Sequence, residues 1–270
     1  MKIPSNRPGW LLPCLLAPFA ALAQPTADLV TLPVRAGVTL TYLLVVDPAL
    51  PVEQVVVLFS GGSGNVPMGP ASTRPAFAER GNFLVRTRYL WAGGGFASAV
   101  VGAPSDRAET GLDDAFRSGR THAEDIDKVI ADLRQRFPGA SLTLVGTSRG
   151  TVSAASVARH LPGRADRVVL SATVFDASRS GNGLAGFDYA SIRSPLLFVH
   201  HADDACRQTP YHPAKRLAAT YPLVTVSGGR PPESGPCDPL SAHGFFGKEV
   251  ETVEAVKDWI RGRSFATQVH

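Results

Sequence analysis

The sequence predicts an α/β fold with a mostly parallel, twisted sheet of about eight strands and helices on both of its faces. Short, continuously apolar and β-branched runs recur along the chain, as is typical of parallel strands that are buried on both faces. Amphipathic helical patterns lie between these runs. The 270 residues, of which 44% are hydrophobic, are enough to bury a substantial core.

The predicted strands begin with an antiparallel hairpin at residues 29–47, where apolar residues alternate around Ala36 and Gly37. The later runs lie at residues 55–59, 83–87, 97–101, 142–146, 168–172, 196–200 and 223–227. Ligands bind at the carboxyl ends of the strands in a sheet of this kind. The residues that directly follow each run are therefore the candidate functional ones.

Two helices have clear sequence patterns. Thr121 and Glu124 form a capping-box pattern that opens a helix with an apolar stripe. A terminal helix covers residues 248–262 and is predicted to end at Gly262. Its apolar residues are predicted to face inward: Val250, Val253, Val256, Trp259 and Ile260.

The first 23 residues have the pattern of a secretory signal peptide. Lys2 and Arg7 precede a mostly apolar run, and an Ala-x-Ala cleavage site ends at Ala23. The alternative is a membrane anchor, but the run is too short to span a bilayer and contains two prolines. We therefore predict that residues 24–270 form a single mature domain that is secreted or periplasmic.

The charge pattern argues against nucleic acid as a partner. The formal net charge is +4, part of it belongs to the predicted signal peptide, and no run of Lys or Arg is present. No later segment is long and apolar enough to cross a membrane, so we expect no membrane insertion. The sequence leaves the oligomeric state open. Two cysteines, Cys206 and Cys237, follow the signal peptide, and in an oxidising compartment they predict one disulfide bond.

A Gly-x-Ser-x-Gly pattern places Ser148 between Gly146 and Gly150, directly after a predicted strand and before a run of small residues. This is the spacing of a nucleophile elbow, in which a sharp turn lifts the serine hydroxyl above the sheet. Glycine fits on both sides because the strand and the helix approach each other closely there. The alternative interpretation is an ordinary strand-to-helix turn with a capping serine.

A serine nucleophile needs a base that removes its proton. His243 lies after the last predicted strand and just before the terminal helix, which makes it the candidate base. His212 lies earlier, at the start of a helix. His200 and His201 end a strand and are predicted to be wall or supporting residues.

The acid that orients this base is expected after a strand. Asp203 and Asp204 both follow the run at 196–200, and the residues alone do not choose between them. Asp176 follows the preceding strand and is a third candidate.

The oxyanion that forms during attack needs two fixed N–H donors. One is expected from Arg149, the residue after the nucleophile. The other is expected from the glycine-rich loop after the run at 55–59, with Gly62 as the first choice and Ser63 as the second. This loop lacks the Lys-Ser/Thr ending of a P-loop, which argues against a phosphate cradle.

Together these motifs resemble the α/β-hydrolase superfamily, and in particular small secreted bacterial hydrolases, over nearly the whole mature chain. The elbow, the His-His-Ala-Asp-Asp turn and the His-Gly-Phe turn follow the order serine, acid, histidine. The resemblance implies the α/β-hydrolase fold and an esterase-type Ser-His-Asp hydrolase that acts on a small-molecule ester and needs no metal or other cofactor. The acid turn of this family often reads His-Gly-x-x-Asp, which aligns Asp204 with the acid. Two departures are Ser60, where the family often has histidine, and His201, where it usually has glycine.

The two cysteines flank these candidate residues. Cys206 lies two residues after Asp204, and Cys237 lies six residues before His243. A bond between them would connect the acid loop with the base loop. We hypothesise that it fixes the geometry of the acid and the base, and the alternative is ordinary stabilisation of two exposed loops.

Residues 102–120 follow a strand and lack an apolar stripe, which predicts a polar flap at the binding end of the sheet. Five arginines are candidates for an anion-binding cluster near the pocket: Arg107, Arg117, Arg120, Arg149 and Arg207. The alternative is that they pair on the surface with nearby acids: Asp106, Glu109, Asp113 and Asp114.

The sequence therefore favours a secreted serine ester hydrolase. A peptidase or an acyltransferase on the same three residues is one alternative, and a non-catalytic binding module is another. The binding module is disfavoured because Ser148, an acid and His243 are all present.

Overall fold

The computed structural model of the chain describes residues 25–66, 81–178 and 181–270. The predicted signal peptide, residues 1–23, lies outside these ranges and stays a prediction. The strands are β1 (Thr26–Arg35), β2 (Val38–Val46), β3 (Gln54–Phe59), β4 (Phe96–Pro104), β5 (Ser141–Thr147), β6 (Arg167–Ser171), β7 (Leu196–His201), β8 (Leu223–Val226) and β9 (Gln268–Val269). The helices are α1 (Phe83–Arg86), α2 (Arg88–Trp91), α3 (Asp114–Ser118), α4 (Arg120–Arg136), α5 (Gly150–His160), α6 (Tyr211–Leu217) and α7 (Glu249–Ile260).

The strands form one nine-stranded sheet in the order β1-β2-β4-β3-β5-β6-β7-β8-β9. β1 pairs with β2 and β2 with β4 in antiparallel register, and every other neighbouring pair is parallel. The predicted mostly parallel sheet is therefore confirmed. β9 was not predicted, because two residues are too few to leave a pattern.

Helices cover both faces of this sheet, as predicted. The side chains of β3 alternate between two apolar clusters, with Val55 and Val57 in one and Val56 and Leu58 in the other. The first cluster includes residues of α4, α5 and α6, and the second includes residues of α1, α2 and α7. A strand buried on both faces reads as a continuous apolar run, which is why the central strands could be predicted.

The prediction of a strand at residues 83–87 is wrong, since residues 83–86 form α1. The side chain of Asn82 accepts a hydrogen bond from the Leu84 N–H at 3.1 Å and so caps the helix. Leu84 and Val85 are fully buried. A short apolar run fits either a buried strand or a buried helical turn, and the asparagine before it was the signal for a helix.

Two details of the other helices also differ from prediction. α4 begins at Arg120, so Thr121 lies inside its first turn rather than capping it. The cause is α3, which leads into α4 through the extended residue Gly119. In α7, Val250 is 55% exposed, contrary to prediction. The other four residues are buried or half-buried, as predicted: Val253, Val256, Trp259 and Ile260.

The sheet brings the predicted functional loops to one edge. β3 and β5 are neighbours, with Phe59 beside Gly146, so the loop after β3 and the turn after β5 lie next to each other. β7 is separated from β5 only by β6. Over residues 25–66, 81–178 and 181–270, no helix has both the length and the apolar character needed to cross a membrane.

Candidate active site

Ser148 lies at the sharp turn between β5 and α5. Its φ angle is 52°, in the left-handed region that is strained for a residue with a side chain. A Cβ atom on Gly146 would lie 2.8 Å from the Thr151 Cα, and one on Gly150 would lie 2.8 Å from the Ser60 carbonyl oxygen. Both glycines are therefore sterically required, as expected for a nucleophile elbow.

His243 and Asp204 lie within hydrogen-bond distance of each other. The His243 Nδ1 atom is 3.0 Å from the Asp204 Oδ2 atom, and the two side chains are 6% and 1% exposed. The other carboxylate oxygen of Asp204 accepts a hydrogen bond from the Cys206 N–H at 2.9 Å. These contacts satisfy a carboxylate that would be costly to bury alone.

Thr209 is a further member of this arrangement, and no sequence pattern pointed to it. Its buried hydroxyl donates to the Asp204 Oδ2 atom at 2.7 Å, and its oxygen lies 3.1 Å from the His243 Nδ1 atom. Because the hydroxyl hydrogen goes to the carboxylate, the hydroxyl oxygen is an acceptor toward Nδ1. Both neighbours therefore favour a proton on Nδ1, which leaves Nε2 as the proton acceptor.

The other candidate acids and the earlier histidine lie elsewhere. The side chain of Asp203 is 75% exposed, and its carboxylate is 4.0 Å from the His201 Nδ1 atom. Asp176 is exposed and lines a separate cavity with Phe187 and Arg216. His212 is exposed in the first turn of α6. Of the three acids, only Asp204 contacts His243 within the described chain.

Neither His200 nor His201 belongs to the described lining of the cavity at Ser148; His200 contacts the loop after β6, and His201 contacts the acid turn. The His200 Nε2 atom accepts a hydrogen bond from the Thr173 N–H at 3.0 Å, and burial lowers the pKa of His200 to about 3. His201 accepts the Asp203 N–H at Nδ1 and lies 3.0 Å from the Gly228 carbonyl oxygen. The His201 carbonyl in turn accepts the Asp204 N–H at 3.2 Å.

A cavity of about 290 Å³ opens beside Ser148. Gly61 and Gly62 line it on one side, and His243 lines it on another. A Cβ atom on Gly61 would lie only 2.9 Å from the Ser148 Cβ, so this loop packs directly against the serine. The loop and the turn that carry the two predicted oxyanion donors, Gly62 and Arg149, are therefore neighbours, and the donor roles of their N–H groups stay predictions.

The guanidinium groups of Arg149 and Arg117 both bind the backbone of the glycine-rich loop. Arg149 Nη1 and Arg117 Nη2 each donate to the Gly62 carbonyl oxygen at 3.3 Å. Arg149 also donates through Nε and Nη2 to the Asp114 Oδ1 atom, at 3.0 and 2.9 Å. The Asp114 Oδ2 atom accepts the Gly183 N–H at 2.9 Å. The Arg149 side chain thus connects the elbow, the glycine-rich loop and α3.

Residues 102–120 differ from the predicted polar flap, because none of them belongs to the described lining of this cavity. They pack behind the glycine-rich loop, where the Leu112 N–H donates to the Ser63 carbonyl at 2.7 Å. Arg107 lies 3.8 Å from Asp113. These contacts favour structural roles for Arg107, Arg117 and Arg149 rather than an anion site, although Arg117 is buried and bonds to backbone carbonyls instead of pairing on the surface. Arg120 and Arg207 are exposed, and their predicted role stays a prediction. Asp106 pairs instead with a residue outside the segment, Arg35, at 2.9 Å.

The predicted disulfide between Cys206 and Cys237 is present, with the two Cα atoms 4.6 Å apart. Cys237 lines the cavity at Ser148, and Cys206 hydrogen-bonds Asp204 through its backbone. The bond therefore joins the acid loop to a wall of the cavity, and it indicates an oxidising compartment. Within residues 25–66, 81–178 and 181–270, no group of three or more His, Cys, Asp or Glu side chains is placed to hold a metal ion.

No protein-family model matches this sequence, and no curated protein matches it either. Several solved structures are similar in fold. A serine hydrolase without a lid from Xanthomonas campestris has a TM-score of 0.57 at 14% identity, over 94% of this chain and 97% of its own. A cold-adapted esterase from an Arctic intertidal metagenomic library has a TM-score of 0.51 at 15% identity, over 76% of this chain and 86% of its own.

Prolyl endopeptidase structures also match, with a TM-score of 0.55 at 15% identity over 88% of this chain. The match covers only 38% of that longer chain. The structural similarity shows the shared fold, and identities of 14–15% leave the activity to be argued from the chemistry of the site. The chain has the α/β-hydrolase fold, as its motifs predict.

Proposed function

We propose that this protein is a secreted serine hydrolase that cleaves carboxylic esters through an acyl-enzyme intermediate on Ser148. One observation carries the proposal. A serine in a strained left-handed turn shares a cavity with His243, whose ring contacts the buried carboxylate of Asp204. A strained backbone at a pocket and a buried acid next to a histidine are both features of nucleophilic catalysis.

Each residue has a role in this reaction. His243 Nε2 takes the proton from the Ser148 hydroxyl as its oxygen attacks the ester carbonyl, and later gives the proton to the leaving alcohol. Asp204 keeps the imidazole oriented and stabilises its charged form. The N–H groups of Gly62 and Arg149 stabilise the oxyanion. Water then cleaves the acyl-enzyme by the same steps.

The surroundings of the site support a small, neutral ester as the substrate. The cavity of about 290 Å³ is at the small end of the usual range for ligand pockets. Arg149 and Arg117, which both donate to the glycine-rich loop, are already engaged with Asp114 and with backbone carbonyls. Secretion is supported by the signal-peptide pattern and by the Cys206–Cys237 disulfide.

Hydrolysis assays with the oxidised protein test the proposal. Substrates are p-nitrophenyl esters of increasing acyl length, an acidic analogue of the best ester, and matched peptide amides. We expect turnover of short neutral esters, a lower kcat/KM for the acidic analogue at all salt concentrations, and loss of activity in Ser148→Ala. The control Ser191→Ala changes a half-buried serine in a 3₁₀ turn that does not belong to the described lining of the cavity. Cleavage of the amides without the esters would reject the ester assignment.

A further inference from the structure

Asn82 places an amide group in the cavity at Ser148, and the proposed ester hydrolysis gives this group no role so far. Its side chain lines the cavity together with Gly61, Gly62 and Ser148. The Asn82 Nδ2 atom would lie 3.4 Å from a Cβ on Gly61, and that same Cβ would lie 2.9 Å from the Ser148 Cβ. The amide therefore reaches the point where the glycine-rich loop meets the nucleophile.

The orientation of this amide is fixed by α1. The Asn82 Oδ1 atom accepts the Leu84 N–H at 3.1 Å, and a backbone N–H can bond only to the oxygen of the amide. The NH₂ group is consequently the end that faces Gly61 and the cavity. Among the described residues, this NH₂ group donates to no acceptor, so its hydrogens are available to a bound molecule.

The backbone around Asn82 is held to the loop that carries His243. Arg86 donates from Nη1 to the Gly81 carbonyl at 2.6 Å, and from Nη2 to the Gly244 carbonyl. A Cβ on Gly81 would lie 2.8 Å from the Pro239 ring, so the two segments are in contact. Arg86 also pairs with Glu249 at 2.9 Å. The amide is thus preorganised, which is what a donor to a transition state requires.

We propose that Asn82 is a catalytic residue whose Nδ2–H donates a hydrogen bond to the oxyanion of the tetrahedral intermediate. The inference rests on the proposed function. As the Ser148 oxygen bonds to the carbonyl carbon, the π electron pair moves onto the carbonyl oxygen and the serine proton moves to His243. The oxygen gains negative charge beside the glycine-rich loop, where the Asn82 amide lies next to Gly61. The amide adds a third, side-chain donor to the backbone donors of Gly62 and Arg149.

Two variants separate this role from helix capping. Asn82→Ser and Asn82→Asp both keep a good N-cap acceptor for α1, but neither has the NH₂ donor. We expect kcat to fall about 100-fold in Asn82→Ser and further in Asn82→Asp, with KM within about 3-fold of the parent value. The rate at which a fluorophosphonate labels Ser148 should fall in parallel, because that reaction also develops an oxyanion. Asp188→Asn changes the exposed N-cap of a 3₁₀ turn outside the described lining of the cavity; it is the control and should change neither rate.

The outcomes separate this inference from the proposed function. If the parent protein neither hydrolyses esters nor accepts the label, both fail together. If the parent is labelled but hydrolyses no ester, the labelling rates alone decide the role of Asn82. If Asn82→Ser melts at the parent temperature and keeps both parent rates, Asn82 is only a cap and the inference is overturned. Rates that fall in Asn82→Ala but are restored in Asn82→Ser overturn it as well.

Discussion

The carboxylates of Asp203 and Asp204 are neighbours in the chain but lie in opposite environments. The Asp203 side chain is 75% exposed, whereas that of Asp204 is 1% exposed and contacts His243, Thr209 and the Cys206 N–H. The residues alone left this choice open, because both positions follow the same strand. Burial and contacts favour Asp204, in agreement with the family pattern.

Replacing the two acids separately should therefore give very different results. In Asp204→Asn the amide cannot stabilise a charged imidazole and disturbs its tautomer, so kcat should fall about 10⁴-fold. Asp203→Asn should retain kcat within about 2-fold, since its side chain is solvated. Steady-state ester hydrolysis at pH 8 measures both. Equal losses in the two variants would contradict the assignment of Asp204.

Thr209 and Asn82 are site residues that the sequence patterns did not identify, for two different reasons. Thr209 carries no motif, and its role depends on a fold that brings residues 204, 209 and 243 together. Asn82 did carry a signal, because an asparagine before an apolar run is typical of a helix N-cap. The β-branched character of the run at 83–87 obscured it. Residues in fixed spacing, such as Ser148 between its glycines, could be predicted because the local geometry alone requires them.

At the scale of elements, the ion pair between Arg149 and Asp114 connects the elbow to α3, next to the glycine-rich loop. The Arg149 and Asp114 side chains are 20% and 7% exposed, and Arg149 also donates to the Gly62 carbonyl. Arg149→Met keeps the apolar stem and leaves Asp114 without this partner. We expect a loss of about 3 kcal/mol in the free energy of unfolding and a roughly 10-fold lower kcat.

Arg164→Met is the matched control for this change. Arg164 pairs with Asp127 on the surface, where the two side chains are 38% and 36% exposed, so its loss should cost under about 1 kcal/mol. Urea denaturation and ester hydrolysis give the two readouts. A destabilised Arg149→Met protein with unchanged kcat would show that the pair does not position the loop.

The disulfide connects two loops, and its removal tests whether it acts only on stability. The double variant Cys206→Ala, Cys237→Ala should lose about 3 to 4 kcal/mol in the free energy of unfolding in the chain-entropy model. Because Cys206 contacts Asp204 and Cys237 lines the cavity, we also expect kcat to fall about 10-fold. A melting curve and an activity–pH profile measure these effects. An unchanged profile in a fully reduced or doubly substituted protein would leave the bond with a stabilising role alone.

Across the whole molecule, the alternation of strands and helices was the part that the sequence specified best. Strands buried on both faces, such as β3 and β5, leave continuous apolar runs, and their order places the loops at one edge. The position of residues 102–120 could not be predicted, because a segment rich in polar residues fits a solvated flap as well as a segment that packs behind the glycine-rich loop. Only tertiary contacts, such as that of Leu112 with Ser63, distinguish the two.

Two buried histidines should make the stability of the whole protein depend on pH. Burial, together with the charge of Arg117, lowers the pKa of His122 to about 3, and burial lowers that of His200 to about 3. The unfolded chain binds a proton near pH 6.5, whereas folded His122 stays neutral down to about pH 3. The contribution of each buried histidine to the free energy of unfolding is therefore fully present above pH 6.5. Each histidine lowers that free energy by about 1.4 kcal/mol per pH unit as the pH falls toward 3.

His122→Leu should flatten this dependence by about 1.4 kcal/mol per pH unit. Neither ring nitrogen of His122 has a hydrogen-bond partner within the described residues, so leucine removes no such contact there. Urea denaturation between pH 7 and pH 4.5 measures the slope, with the exposed residue His212 replaced by leucine as the control. A variant with the parental slope would contradict the buried, neutral state of His122.

The proposed function depends above all on Ser148 being an activated nucleophile, and covalent labelling tests this most directly. The oxidised protein is incubated with a fluorophosphonate, and the adduct is located by mass spectrometry of the intact chain and its peptides. We predict one adduct per chain, on Ser148, which is absent in Ser148→Ala and strongly slowed in His243→Ala. A folded, oxidised protein that carries no adduct, or carries it on another residue, would contradict the assignment of Ser148 as the nucleophile.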